Sequence, residues 1–234
     1  NEQWKANSTC NKKLINCIAM IDTSFSMNDD NGVPLYAAIG LGIRIAENSK
    51  LGKRVLTFSA EPSWINLDEC TDFVSTVERI ISSPWGTNTN FRGALNMILS
   101  MAVIKNIDPN EMKNMNLIVL SDMQIDHGMD RNDNATMFDM MKEKYRSSGL
   151  ETIYKRAYEL PHVIFWNLRK TNGFPSLSSN ENTSMMSGNN ATLLNNFAES
   201  GTEELIKSTP FTMLVKMLSN ERYNDFDYHI NQLF

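Results

Sequence analysis

The sequence predicts an α/β protein: a doubly wound, mostly parallel sheet flanked by helices, with one antiparallel edge strand. Three observations predict it. The apolar runs LINCIAMID (14–22), NLIVLSD (116–122) and HVIFWNL (162–168) lack helical periodicity and have the unbroken hydrophobicity of strands buried on both faces. Amphipathic helical patterns alternate with them. Two of the runs end in an aspartate, Asp22 and Asp122. A parallel sheet carries both carboxylates to its carboxyl edge, where open α/β sheets bind ligands.

The chain divides into a polar lead-in or linker over residues 1–13 and one domain over residues 14–234. It begins at Asn1 rather than methionine, as expected of part of a longer protein. The first strand runs from Leu14 to Asp22. Pro34 suits a first helical turn, and Leu35, Ile39 and Ile43, with Ala38, Gly42 and Ala46, form a face that packs closely on a sheet. Gly52 ends that unit, Lys53 to Ser59 reads as a second strand, and Glu61 to Leu67 holds a short edge strand around Trp64 and Ile65. Phe73, Val77, Ile80 and Ile81 mark a helix stopped by Ser82-Ser83-Pro84. A polar loop, WGTNTN, leads into a helix from Phe91 to about Lys105. After the strand Asn116–Ser121 comes the acidic loop SDMQIDHGMDRNDN, then a helix from Ala135 to about Tyr158. His162–Leu168 is the next buried strand, and Thr183–Ser187 a short last one. Two terminal helices are expected, Ala191–Glu199 and Pro210–Ser219.

A chain of 234 residues with 41% hydrophobic content can bury one sizeable core. The net charge of −5 argues against a surface that binds nucleic acid all over. Cys10, Cys17 and Cys70 include no CxxC pair, and Cys17 reads as a small buried apolar residue. No run approaches the ~18 apolar residues of a membrane span, and no signal peptide is visible. These features predict a cytoplasmic protein with reduced thiols and no membrane partner.

The chemistry concentrates at Asp22-Thr23-Ser24-Phe25-Ser26, where three short oxygen side chains alternate just past a buried strand. Thr89 enters the helix that follows the WGTNTN loop, at the same sheet edge if the alternation holds. Thr87 is a second candidate. Asp22, Ser24, Ser26, Thr89 and Asp122 together offer five hard oxygen donors, leaving about one position of an octahedral ion open. Such an ion, Mg²⁺ or else Mn²⁺ or Ca²⁺, keeps its appetite for an external anion. The bland alternative is that Asp22, Ser24 and Ser26 only shape a turn. Asp126 reads as a solvated loop charge unless it faces the same mouth. Trp85 and Phe91 read as packing residues. His127, His162 and His229 are too scattered for metal-ligand spacing, and His127 alone lies near the Asp122 loop.

The set Asp22-Thr23-Ser24-Phe25-Ser26, Thr89 and Asp122 resembles the metal-ion-dependent adhesion site (MIDAS) of von Willebrand factor type A (vWA) domains. The stretches WGTNTNF, LIVLSDMQID and VIFWNLR narrow the likeness to the vWA domain of the Ro ribonucleoprotein autoantigen (TROVE) family. They are more similar still to a little-characterised group from plants, fungi and giant viruses, whose vWA domain follows a helical region. The resemblance implies a Rossmann-like fold and the five ligands just named, with Asp22, Ser24 and Ser26 matching the first motif and Asp122 the last acidic ligand. Of Thr87 and Thr89 it favours Thr89, which lies five residues before Ala94, the small residue of the following helix, close to the family's offset. It also implies a protein partner that presents Asp or Glu to the ion. Should the source be a giant virus, the protein belongs to the virion or viral factory.

No enzyme is expected. A phosphoryl-accepting aspartate of the haloacid-dehalogenase type would have a second acid where Ser24 stands. No GxSxG, HExxH or GxxxxGK[ST] motif occurs. Two rivals to the interaction module follow from the resemblance. One is a TROVE-like ribonucleoprotein whose RNA lies mainly on a region upstream of this sequence. In that case Lys53, Arg54, Arg92, Lys105, Lys155 and Arg156 should share a face for this domain to touch RNA. The other is a structural domain with a vestigial metal site.

Overall fold

In the computed structural model the apolar runs become the central strands of one sheet. The structure describes residues 1–6, 14–59, 61–83, 90–123, 131–169 and 182–188, and isolated positions between 211 and 219. The strands are β1 (Cys17–Asp22), β2 (Arg54–Phe58), β3 (Trp64–Asn66), β4 (Asn116–Ser121), β5 (His162–Asn167) and β6 (Thr183–Ser187). The helices are α1 (Glu2–Ala6), α2 (Val33–Ala46), α3 (Phe73–Ile81), α4 (Phe91–Ile104), α5 (Pro109–Lys113) and α6 (Arg131–Glu151). The strand order is β3-β2-β1-β4-β5-β6, parallel throughout except between β2 and β3. This is the expected fold class, antiparallel edge included. The expected helix Ala191–Glu199 lies outside the described residues, as does half of Pro210–Ser219.

Pleating divides the strand side chains between two cores. Cys17, Ala19 and Ile21 of β1 meet α2 and α3 on one face, together with Ile118, Leu120, Ile164 and Trp166. Ile18 and Met20 meet α4 and α6 on the other, with Leu117, Val119, Val163 and Phe165. Burial on both faces explains why these strands read as continuous apolar runs. It also raises the Cys17 thiol to a pKa of about 12, because the thiolate would lie in an apolar interior.

Small residues set how close the helices come. A side chain at Gly42 would run into Ile21, one residue before Asp22, so glycine lets α2 lie against β1. Asp72 caps α3 by accepting from the Ser75 amide at 2.8 Å, and the Ser75 hydroxyl accepts in return from the Asp72 amide at 3.2 Å, a capping box. Phe91 is buried between Phe138 and Phe165, each ring centroid 6.0 Å away, which assigns it to the core. In the lead-in, α1 sets Trp4 on Phe73 at 4.2 Å, with the Arg44 guanidinium 3.7 Å from the indole ring.

Two elements differ from the sequence expectation. The helix expected to reach Tyr158 ends at Glu151. Lys155 takes a positive φ of 50°, the chain reverses, and buried Tyr158 donates its hydroxyl to the Ile107 carbonyl at 2.8 Å. Burying that ring outweighs a further helical turn. The second difference is α5, a short helix in the stretch between Lys105 and Asn116, where the sequence reading assigns no element. Asp108 caps it by accepting from the Asn110 amide at 2.7 Å, and Pro109 fills its first turn. The Asp-Pro pair was its sequence signal. Among the described residues no helix is long and apolar enough to cross a membrane.

Candidate metal centre

The chain leaves β1 for β2 on one side and later crosses back to β4 on the other, so the crevice between β1 and β4 is the switch point of the sheet. Register makes it a site. Ile21 pairs with Leu120, so Asp22 and Ser121 stand side by side and Asp122 lies one residue beyond. The Ser121 hydroxyl donates to Asp22 Oδ2 at 2.5 Å, across 99 residues of sequence. Ser121 Oγ in turn accepts from the Met123 amide at 3.0 Å, which orients its proton toward Asp22.

The loop after β1 supplies the rest. Asp22 Oδ1 accepts from the Ser24 amide at 2.8 Å, folding the loop over its own carboxylate. The hydroxyls of Ser24 and Ser26 then lie 3.0 Å apart. Asp22 and Asp122 are both buried, whereas Ser24 and Ser26 are half-exposed. Arg169, two residues past β5, closes one side. Its Nη2 lies 2.9 Å from Asp29 Oδ2 and its Nη1 3.5 Å from Asp122 Oδ2. The Asn90 amide bonds the Ser59 carbonyl at 3.0 Å, so α4 also starts from this edge. Thr89, Thr87, Trp85, Asp126 and His127 lie outside the described residues. His162 is far from this chemistry: its ring nitrogens lie 3.1 Å from Asn182 Oδ1 and 2.8 Å from Ser184 Oγ, tying β5 to β6.

Sequence reasoning missed Ser121 and Arg169. Ser121 carried a signal, since it is the last residue of an apolar strand and adjoins Asp122. Arg169 closes VIFWNLR, and nothing local in that stretch directs its guanidinium to the site.

The donor set fits a hard divalent cation. Its atoms are carboxylate and hydroxyl oxygens, the ligands of Mg²⁺ and Ca²⁺. Among the described residues no three of His, Cys, Asp and Glu gather into a metal-binding group, so the two aspartates would need the Ser24 and Ser26 hydroxyls beside them. Asp122 and Asp29 share the Arg169 guanidinium, and Asp22 is held by the Ser121 hydroxyl on the β4 side of the same edge. Burial raises the Asp22 pKa first, bonds from Ser121 and Ser24 lower it, and nearby Asp122 raises it again.

A pH effect follows. With its folded pKa above the ordinary 3.8, Asp22 holds its proton longer in the folded protein than in the unfolded chain. Stability therefore falls as pH rises through that interval, and the penalty is complete above the folded value. In chelator, Asp22→Asn is expected to unfold at a higher temperature than wild type at neutral pH. The gap should shrink as pH falls toward 3.8. Thermal melts of both proteins across the acid range measure it, and a pH-independent gap would contradict it.

Comparison with known proteins adds three findings. Residues 16–226 match the model of a family described as a domain of unknown function, DUF7788. An uncharacterized protein of Acanthamoeba polyphaga mimivirus is 32% identical over 183 residues, covering 76% of this chain and 30% of the viral protein. The crystal structure of the Ro (RSR) protein of Deinococcus radiodurans superposes with a TM-score of 0.51 at 16% identity, over 82% of this chain and 35% of that one. At that identity the likeness shows the fold alone. The chain spans about a third of the length of both relatives.

Proposed function

This chain belongs to the DUF7788 family, and from that premise we propose that it is a vWA-type interaction module whose switch-point edge holds a divalent cation and, through it, an acidic group of a protein partner. One observation carries the reading. The Asp22-Ser24-Ser26 loop and the Ser121-Asp122 end of β4 converge on one edge, with the two serine hydroxyls 3.0 Å apart. Asp22, Ser24, Ser26 and Asp122 would hold the ion, with Thr89 as fifth ligand. A bound Mg²⁺ or Mn²⁺ supplies a Lewis-acidic position for a carboxylate. The protein's own part is positional. The Ser24 amide and the Ser121 hydroxyl each fix one oxygen of Asp22, so its geometry is set before anything binds.

The test is calorimetric titration of Mg²⁺ and Mn²⁺ into wild type and Asp22→Ala. Wild type is expected to bind and the variant to lose at least about 100-fold in affinity, about 2.7 kcal/mol. Equal heats from the two proteins, or no binding by wild type at millimolar ion, would overturn the reading. The partner half is tested with a pool of aspartate-containing peptides, retained in Mg²⁺ and released by EDTA.

The ribonucleoprotein reading has one favourable observation, on the opposite edge. Arg54 and Lys105 both reach Gly52, their nitrogens within 3.3 Å of where its side chain would begin. Arg92, at the start of α4, belongs to the other edge, and Arg156 is paired with Asp108 at 2.9 Å. RNA binding by this chain that weakens steeply with salt would favour that reading over the interaction module.

A further inference from the structure

Arg169 is held in place by backbone rather than by its own charge. The Leu168 amide bonds the Ser121 carbonyl at 2.9 Å, and the Arg169 amide bonds Asn167 Oδ1 at 2.9 Å. The end of β5 is thereby fastened to the strand end that carries Asp122. From there the guanidinium reaches two carboxylates that differ in kind. Asp29 is 52% exposed and receives Nη2 at hydrogen-bonding distance; Asp122 is 1% exposed and receives Nη1 at 3.5 Å. Nη1 is itself buried and makes no hydrogen bond. Its hold on Asp122 is therefore charge attraction in a sheltered place, without the directional bond that makes an arginine–carboxylate fork persistent.

We propose that Arg169 is the resident counter-cation of the Asp22–Asp122 edge, and that a divalent ion loads there by displacing the guanidinium toward Asp29. The proposal rests on the metal reading above and concerns how that site is regulated. Two buried carboxylates need a positive charge whether or not an ion is bound. Arg169 provides it on the Asp122 side of the edge, and the same charge then repels the incoming ion. Asp29 gives the displaced guanidinium an exposed partner 2.9 Å from where it already lies, so the exchange needs only a small swing. The device makes the empty site stable and the loaded site conditional. An acidic partner that also drew Arg169 outward would tighten the ion, which couples the two binding events.

The test compares Mn²⁺ affinity, by electron paramagnetic resonance of free ion, for wild type, Arg169→Gln and Arg169→Lys, together with melting temperatures in EDTA and in saturating Mn²⁺. Arg169→Gln is expected to bind Mn²⁺ about tenfold more tightly, to melt below wild type in EDTA, and to gain more from Mn²⁺ than wild type does. Arg169→Lys, which keeps the charge, should remain within about threefold of wild type. Equal or weaker Mn²⁺ binding by Arg169→Gln would overturn the proposal, leaving the arginine as a positioning group for Asp122. Absence of Mn²⁺ binding in all three proteins would overturn the metal reading itself. Should Arg169→Gln fail to fold, Arg169→Lys carries the comparison through salt: its Mn²⁺ affinity must follow ionic strength as wild type does, and divergence counts against the proposal.

Discussion

Trp166→Ala is expected to lower stability by about 3–5 kcal/mol, the range for removing a large aromatic side chain from a packed core. Trp166 is fully buried in β5, and its indole N–H donates to the Gly188 carbonyl at 2.8 Å, just past β6. The substitution opens a cavity in the core shared with α2 and leaves the Gly188 carbonyl without that donor. For a chain of this size the loss corresponds to a fall in melting temperature of about 10 °C. Because, among the described residues, β6 pairs with β5 alone, hydrogen exchange along Thr183–Ser187 should accelerate before that along β1 or β4. Urea unfolding measures the first effect, and a cost under about 1 kcal/mol would mean the cavity collapses rather than staying open.

Gly149→Ala provides a test in which two physical effects have opposite signs. Gly149 lies inside α6, where exchanging glycine for alanine in an exposed position stabilises by about 1 kcal/mol. Here the added carbon would meet the Tyr158 amide nitrogen, the Arg156 carbonyl oxygen at 2.5 Å and the Ala157 carbonyl carbon at 2.8 Å. These are backbone atoms of the segment that doubles back toward β5, and none can rotate away. The contact wins over propensity, and a loss of about 3 kcal/mol is expected, the upper part of the range for overpacking. Chemical denaturation decides the sign. A gain in stability would show that the returning segment can shift outward without releasing the Tyr158 hydroxyl from Ile107.

The fold was legible because its signals are local. Unbroken apolar runs such as NLIVLS can only be strands buried on both faces, and both runs that end in aspartate form neighbouring strands, β1 and β4. Asp22, Ser24, Ser26 and Asp122 were legible as a group for the same reason, since a parallel sheet delivers strand ends to one edge. The end of α6 was not legible, because Tyr158 leaves the helix for a distant partner, the Ile107 carbonyl. Arg169 was not legible either. Its place depends on how the backbone after β5 fastens to β4, a register that nothing in VIFWNLR displays. Ser121 lies between these cases: its strand was readable, but its bond to Asp22 depends on a pairing made across 99 residues.

That long-range pairing gives the edge a temporal order. The loop after β1 can curl around Asp22 as soon as it is made, since the Ser24 amide that binds the carboxylate is only two residues away. The other half arrives with β4, about a hundred residues later, after a loop closure whose entropic cost is almost all spent by the time the strands meet. During synthesis the amino-terminal half of the chain is therefore present without a competent edge, and nothing that requires both aspartates can be captured early. A ligand that needs both aspartates can meet them only once β1 and β4 have paired.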